Sequence, residues 1–95
     1  MLMILHHIQT SPSRDNALKL CLRYACKEDA ILLSSDGVNA LLLRQWAMAL
    51  SPFKVMVLKD DVIARGLTER LNNISQIDYN EFVTQALQHD KVITW

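Results

Sequence analysis

The stretch that most limits what this chain can fold into is Ala30-Ile31-Leu32-Leu33-Ser34-Ser35-Asp36-Gly37-Val38, an unbroken apolar run that halts at two serines, an aspartate and a glycine. A strand with one face in water alternates apolar and polar residues, and this run does not. It therefore reads as a strand covered on both faces, as in a parallel sheet flanked by helices. Ser34, Ser35, Asp36 and Gly37 then mark the strand's carboxyl end. In open α/β sheets that end, with the helix start after it, is where ligands and partner groups gather. A working edge on this chain is expected there.

The flanking sequence repeats the same alternation. Leu2 to His6 has strand character from the start, and Thr10-Ser11-Pro12-Ser13 supplies turn and cap chemistry before a helix between Arg14 and Cys26, with Ser13 or Asp15 as its cap. Leu18, Cys21, Leu22 and Ala25 fall within about a third of that helix's circumference, at roughly 100° per residue, and form the stripe that faces the sheet. Lys27-Glu28-Asp29 is a polar connection. Asn39 to Leu50 is a second helix, ended by Ser51-Pro52. Its apolar face holds two rows, Leu42, Trp46 and Ala49 beside Leu43, Ala47 and Leu50, wider than one sheet face needs. Lys54 to Leu58 is a third strand, and Val62 to Arg65 a short helix closed by Gly66. Ile74 to Ile77 is β-rich, Asp78 and Glu81 take N-cap and N3 positions of a last helix reaching Gln88, and Val92 to Trp95 is an edge strand. Right-handed crossovers between such units give an α/β fold. The expected architecture is a single domain over residues 1–95, with a mostly parallel sheet of four or five strands and helices on both faces.

A chain of 95 residues buries only roughly 60–65% of its unfolded surface. Hydrophobic residues make up 51% of it, more than so small a core absorbs, so part of this material is expected to meet another subunit. Ten basic residues against ten acidic ones leave a formal net charge of zero. That balance excludes an autonomous nucleic-acid binder, which needs a basic field. No apolar run approaches the roughly 20 residues that span a bilayer, and the first five residues lack the basic leader of a signal peptide. Two cysteines without an export signal point to reduced thiols in a cytosol.

Four groups of residues bear on chemistry. Cys21 and Cys26 lie about 140° apart on a helix, so they cannot pair within it. Cys21, the only candidate nucleophile of note, sits on the apolar stripe, where packing competes with reactivity. His6-His7 ends the first strand in this reading, near Asp36, Asp60 and Asp61 of neighbouring strand ends. Metal binding or proton transfer there competes with capping and loop hydrogen bonds. Adjacent strand residues point to opposite faces, so at most one of the two histidines aims a given way. Asp60-Asp61 resembles the acidic pocket of phospho-acceptor receiver domains, but the pair in that fold ends the first strand, and the chain is short for it. No glycine-rich phosphate loop, nucleophile elbow or zinc-binding helix motif is present, and no metal or cofactor is expected. Trp46, Tyr79 and Trp95 are the interface candidates, with Trp95 either folded onto its own domain or anchoring a partner.

With these residues in view, the chain resembles the TusB/DsrH family of sulfur-relay subunits. The resemblance rests on Ile4-Leu5-His6 with Ser11-Pro12, on Leu32-Leu33 with Asp36-Gly37-Val38 and Ala40, on Lys54-Val55 through Leu58 with Asp61, Ala64-Arg65-Gly66 and Leu67, and on Asp78-Tyr79 with Phe82-Val83 and Trp95. Each motif is weak alone, and four in order span nearly the whole chain. The resemblance implies an accessory subunit of a cytoplasmic assembly similar to TusBCD, a heterohexamer with two copies each of TusB-, TusC- and TusD-like chains. That assembly passes persulfide sulfur from TusA to TusE for 2-thiolation of the tRNA wobble uridine. It also implies that the sulfur-bearing cysteine belongs to the TusD-like chain. DsrH-type members carry a first-helix cysteine that Cys21 matches, while some TusB members lack it. Two alternatives stand beside this reading: a persulfide carrier in its own right through Cys21, and a subunit of the related sulfur-oxidation assembly. Self-association in the absence of partners is a further expectation.

Overall fold

A computed structural model describes residues 2–95 of the chain. Five strands, β1 (Ile4–Ile8), β2 (Ala30–Leu33), β3 (Lys54–Leu58), β4 (Ser75–Ile77) and β5 (Lys91–Thr94), form one sheet in the order β4-β3-β2-β1-β5. Every neighbouring pair is parallel. The unbroken apolar run is β2, and it sits at the centre with all four residues buried. Helices α1 (Ala17–Tyr24), α2 (Arg44–Leu50), α3 (Lys59–Ala64) and α4 (Tyr79–Gln88) connect the strands, with a 3₁₀ segment at Ser35–Leu42.

Strand alternation divides the core in two. On one face Ile8, Ile31, Leu33 and Val57 pack with Leu18 and Cys21 of α1, Val38 and Ala40 of the 3₁₀ segment, Leu50 of α2 and Val62 of α3. On the other, Leu5, Ala30, Leu32, Met56 and Ile77 are covered by Phe82 and Ala86 of α4. Each fully buried Leu, Ile or Val contributes about 1.5–3 kcal/mol of transfer free energy, so the thicker layer carries most of the stabilisation. The second face has α4 alone, because this one helix carries the chain from the β4 edge of the sheet to the β5 edge.

Several expected boundaries move, and one of them bears on the site: the short helix runs from Lys59 to Ala64 rather than Val62 to Arg65, so Asp60 and Asp61 lie in its first turn rather than at a strand end. The first strand runs from Ile4 to Ile8 rather than Leu2 to His6, since all five of its residues are buried and the histidines lie inside it. The first helix runs from Ala17 to Tyr24 rather than between Arg14 and Cys26, and its N-cap position falls to Asn16, which makes no side-chain cap bond, not to Ser13 or Asp15; Asp15 Oδ1 instead accepts from the Ala17 N–H and from Thr10 Oγ1, tying down the turn before it. The expected continuous helix from Asn39 to Leu50 is a 3₁₀ segment and then α2, separated at Leu43, whose backbone is extended (φ −103°, ψ 120°). At the start of the 3₁₀ segment, a Cβ on Gly37 would come 2.5 Å from the Ile8 carbonyl oxygen, so the segment passes the end of β1 too closely for any side chain there.

The close of α3 follows its sequence signal. Gly66 has φ +66°, its N–H bonds to the Ile63 carbonyl, and the Leu67 N–H bonds to that of Val62. This is the paired C-terminal bonding that only a left-handed residue permits, with Leu67 and Val62 both in the core. At the start of α4, Asp78 accepts from the Glu81 N–H at 2.8 Å, as the cap pattern requires.

Candidate functional site

The carboxyl ends of the central strands gather His7, Ser34, Ser35, Asp36, Asp61 and Arg65. Ser34 ends β2 in extended conformation, and its Oγ lies 2.7 Å from His7 Nε2. Both side chains are buried. Burial lowers the His7 pKa below its ordinary value, outweighing the Asp61 carboxylate that pulls it up, so His7 is neutral at physiological pH. Ser35 has φ +48°, a left-handed conformation that costs a non-glycine residue roughly 1–2 kcal/mol. Its N–H donates to Asp61 Oδ2 at 2.7 Å, which holds the turn there. Arg65, reaching back from the end of α3, donates to Asp36 Oδ1 at 2.8 Å and to the Asp61 carbonyl at 3.1 Å. The edge is thus a closed set: the cation, the two carboxylates and the hydroxyl each hold a neighbour in place.

The two histidines part as alternation demands. His7 faces α4, with its ring 5.3 Å from that of Phe82. His6 turns to the other face and away from the strand-end aspartates: Nε2 lies 2.9 Å from Asp29 Oδ2, and Nδ1 accepts from Trp95 Nε1–H at 3.0 Å. An indole N–H only donates, so the proton of this imidazole is on Nε2 and points at Asp29. Asp29 also accepts from the backbone N–H groups of Ile4 and Cys26. Burial pushes its carboxyl up, but the Cys26 N–H, His6 and the Ile4 N–H outweigh this, and its pKa falls below the ordinary value. Trp95 packs onto its own domain, against His6 and Tyr24.

Cys21 is completely buried beneath α1. Its thiol is pushed up to about 12 by burial and then by the Asp29 carboxylate. Cys26 is exposed. Its N–H is tied to Asp29, which directly precedes β2, so it sits toward the amino end of the strands and away from the Ser34–Gly37 edge. Trp46 is half-buried against the thicker core layer, while Tyr79 stands 65% exposed at the start of α4. Asp29, which by sequence is part of a polar connection, and Arg65, which by sequence only ends a helix, are the two side chains whose long-range partners sequence does not signal. A register of Leu5 with Ala30 would have put Asp29 opposite Ile4 and exposed its role.

The family model described as DsrH like protein matches residues 10–92. The chain is 42% identical over 82 residues to Protein TusB of Yersinia pestis (strain Pestoides F) and, equally, to Protein TusB of Yersinia pseudotuberculosis, covering 82% of this chain and 86% of each relative. Among solved structures, the Thermotoga maritima protein Tm0979 superposes with TM-score 0.63 at 31% identity, covering 92% of this chain and 95% of that one. A second structure of the same protein, described as a candidate sulfur transferase, gives TM-score 0.61. A Bacteroides thetaiotaomicron protein of unknown function shares the fold at TM-score 0.74 and 16% identity.

Proposed function

The chain belongs to the TusB/DsrH family of sulfur-relay subunits, and from that premise we propose that it is the accessory member of a cytoplasmic TusBCD-like assembly. Its role is to complete an oligomer in which a TusD-like sister carries the persulfide taken from TusA and handed to TusE for tRNA wobble-uridine thiolation. The observation that carries this reading is the state of Cys21. Persulfide transfer needs a thiolate that a donor sulfur can reach, and here the family-matched thiol is sealed and held protonated.

The surface supports a binding role. Between α2 and the β3–β4 side lies a groove of about 350 Å³, walled by Leu41, Ala47, Phe53, Val55 and Ile74. Met48, elsewhere on α2, is 63% exposed. No helix among the described residues is long and apolar enough to cross a membrane.

The test is reconstitution with TusC- and TusD-like chains, followed by sulfur transfer to a TusE-like acceptor. The Cys21→Ser variant is expected to join the complex and support transfer at the wild-type rate. Mass spectrometry after exposure to a persulfide donor is expected to find no sulfur adduct on Cys21. An adduct there, with transfer abolished in an intact Cys21→Ser complex, would establish the chain as a carrier; failure to bind either sister would remove the accessory reading.

A further inference from the structure

Asp29, His6 and Trp95 form a buried chain of hydrogen bonds that the accessory role does not require. Asp29 Oδ2 lies 2.9 Å from His6 Nε2, and His6 Nδ1 accepts from the Trp95 indole N–H at 3.0 Å. Ile93 pairs with His6, so Trp95, two residues on, shares the His6 face of the sheet, and its own backbone N–H bonds to the His7 carbonyl. The indole stacks on the imidazole, with ring centroids 6.0 Å apart and an interplanar angle of 29°. His6 and Asp29 are 0% and 2% exposed. The other groups around them are on α1: Tyr24, which meets both rings edge-on, and Cys21, whose protonated thiol lies in the field of Asp29. Of these groups, Asp29 alone brings a charge to His6.

We propose that Trp95 is an acid-released latch: a proton taken up at His6 Nδ1 ejects the indole from the face of β1. An indole N–H only donates, and Nδ1 accepts from it only while that nitrogen keeps its lone pair. A second proton on the imidazole turns the acceptor into a donor and sets two N–H groups against each other. The Nε2–H bond to Asp29 survives, because burial is outweighed there by the Cys26 and Ile4 N–H groups and His6, and the carboxylate stays ionised where histidines titrate. Asp29 also stabilises the imidazolium that forms, so the conflict falls on the indole alone. Burial decides which side yields. His6 is sealed inside β1, whereas Trp95 is half-buried one residue past β5, packed on Tyr24 and on the margin of the thicker core layer. The proton comes from solvent and reaches Nδ1 along the side that the indole covers, so opening precedes uptake and the imidazolium then holds the latch open. Release bares His6 and the core margin, which makes the surface at the β1–β5 edge depend on pH. No sister chain is needed for this, so its failure leaves the family reading in place.

NMR of the isolated full chain between about pH 8 and about pH 5, the range in which histidines titrate, tests it. The chain has two tryptophans and so two indole N–H signals, of which Trp95→Phe identifies that of Trp95. As pH falls, the wild-type Trp95 signal is expected to move toward the position of free indole. Its protection from solvent exchange, relative to free indole at the same pH, drops about tenfold, as the loss of one hydrogen bond implies. The Trp46 signal stays fixed. His6→Gln supplies an acceptor and a donor that do not titrate, and is expected to hold the Trp95 signal constant over the whole range. Reciprocity gives a second measurement that leaves the core untouched. In Trp95→Phe nothing opposes the proton at Nδ1, so the His6 ring signal is expected to titrate about half a unit to one unit higher than in the wild type. His7→Gln changes neither result. A Trp95 signal indifferent to pH, a movement shared by Trp46, one that persists in His6→Gln or vanishes in His7→Gln, or a His6 titration unaltered by Trp95→Phe would overturn the proposal.

Discussion

Alanine at position 37 adds a single carbon 2.5 Å from the Ile8 carbonyl oxygen and 3.1 Å from the carbonyl carbon. Both neighbours are backbone, at the end of a buried central strand, so neither can rotate aside as a side chain would. The 3₁₀ segment must lift by nearly an ångström to reach ordinary contact distance. That displacement pulls on the Ser34 N–H bond to the same Ile8 oxygen, 3.0 Å long, and loosens Val38 and Ala40 from the core. Forced overpacking of this kind costs about 1–3 kcal/mol. For a domain of this size, 2 kcal/mol corresponds to a fall in Tm of roughly 8–16 °C. Gly66→Ala is the matched control. Nothing lies within 4 Å of a Cβ there, but φ is +66°, so its cost is about 1–2 kcal/mol of left-handed strain. Asparagine separates the two mechanisms, because it tolerates the left-handed region but is larger than alanine: Gly66→Asn recovers part of the loss, and Gly37→Asn deepens it. Urea titrations of the four variants at neutral pH measure this. A Gly37→Ala protein as stable as wild type, or a Gly37→Asn protein more stable than Gly37→Ala, would refute the steric account of this edge.

Asp29→Ala removes the common acceptor of the His6 ring and the Ile4 and Cys26 N–H groups, leaving buried donors without partners at a cost of about 1–3 kcal/mol each where water cannot enter. Chemical denaturation should show a loss of several kcal/mol, with Trp95 fluorescence altered because His6 no longer holds its orientation. Acid titration of stability should show two stages. The His7 pKa is lowered in the folded state, so the unfolded chain binds the extra proton first: stability is full above pH 6.5 and declines as pH falls below that value through the folded one, a slope that His7→Gln flattens. Asp29, also lowered, adds a further loss only as pH drops below 3.8.

The legible parts of this chain were those where local signals and the global fold agree. The unbroken run at Ala30–Leu33 placed the central strand because only a strand covered on both faces can dispense with polar residues. Asp78 and Glu81 located the start of α4, and Gly66 the end of α3, because caps and left-handed turns are satisfied within a few residues. The stripe through Leu18 and Cys21 faces the sheet as its period requires. Trp95 stayed undecided in sequence because nothing local distinguishes an anchor for a partner from one that folds back; its bond to His6 spans 89 positions.

Strand identity, the parallel class, the Asp78 and Gly66 caps and the burial of Cys21 were therefore contained in the order of residues, since each follows from periodicity or from hydrogen bonds closed over one turn. The tertiary structure alone decided that β1 lies between β2 and β5, that His6 meets Asp29 while His7 meets Ser34, and that Arg65 reaches Asp36. It also decided the break at Leu43 and the close approach of the Gly37 backbone to Ile8. These contacts join residues more than twenty positions apart, and their partners become neighbours only when the strand order and register are set by burial of both sheet faces at once.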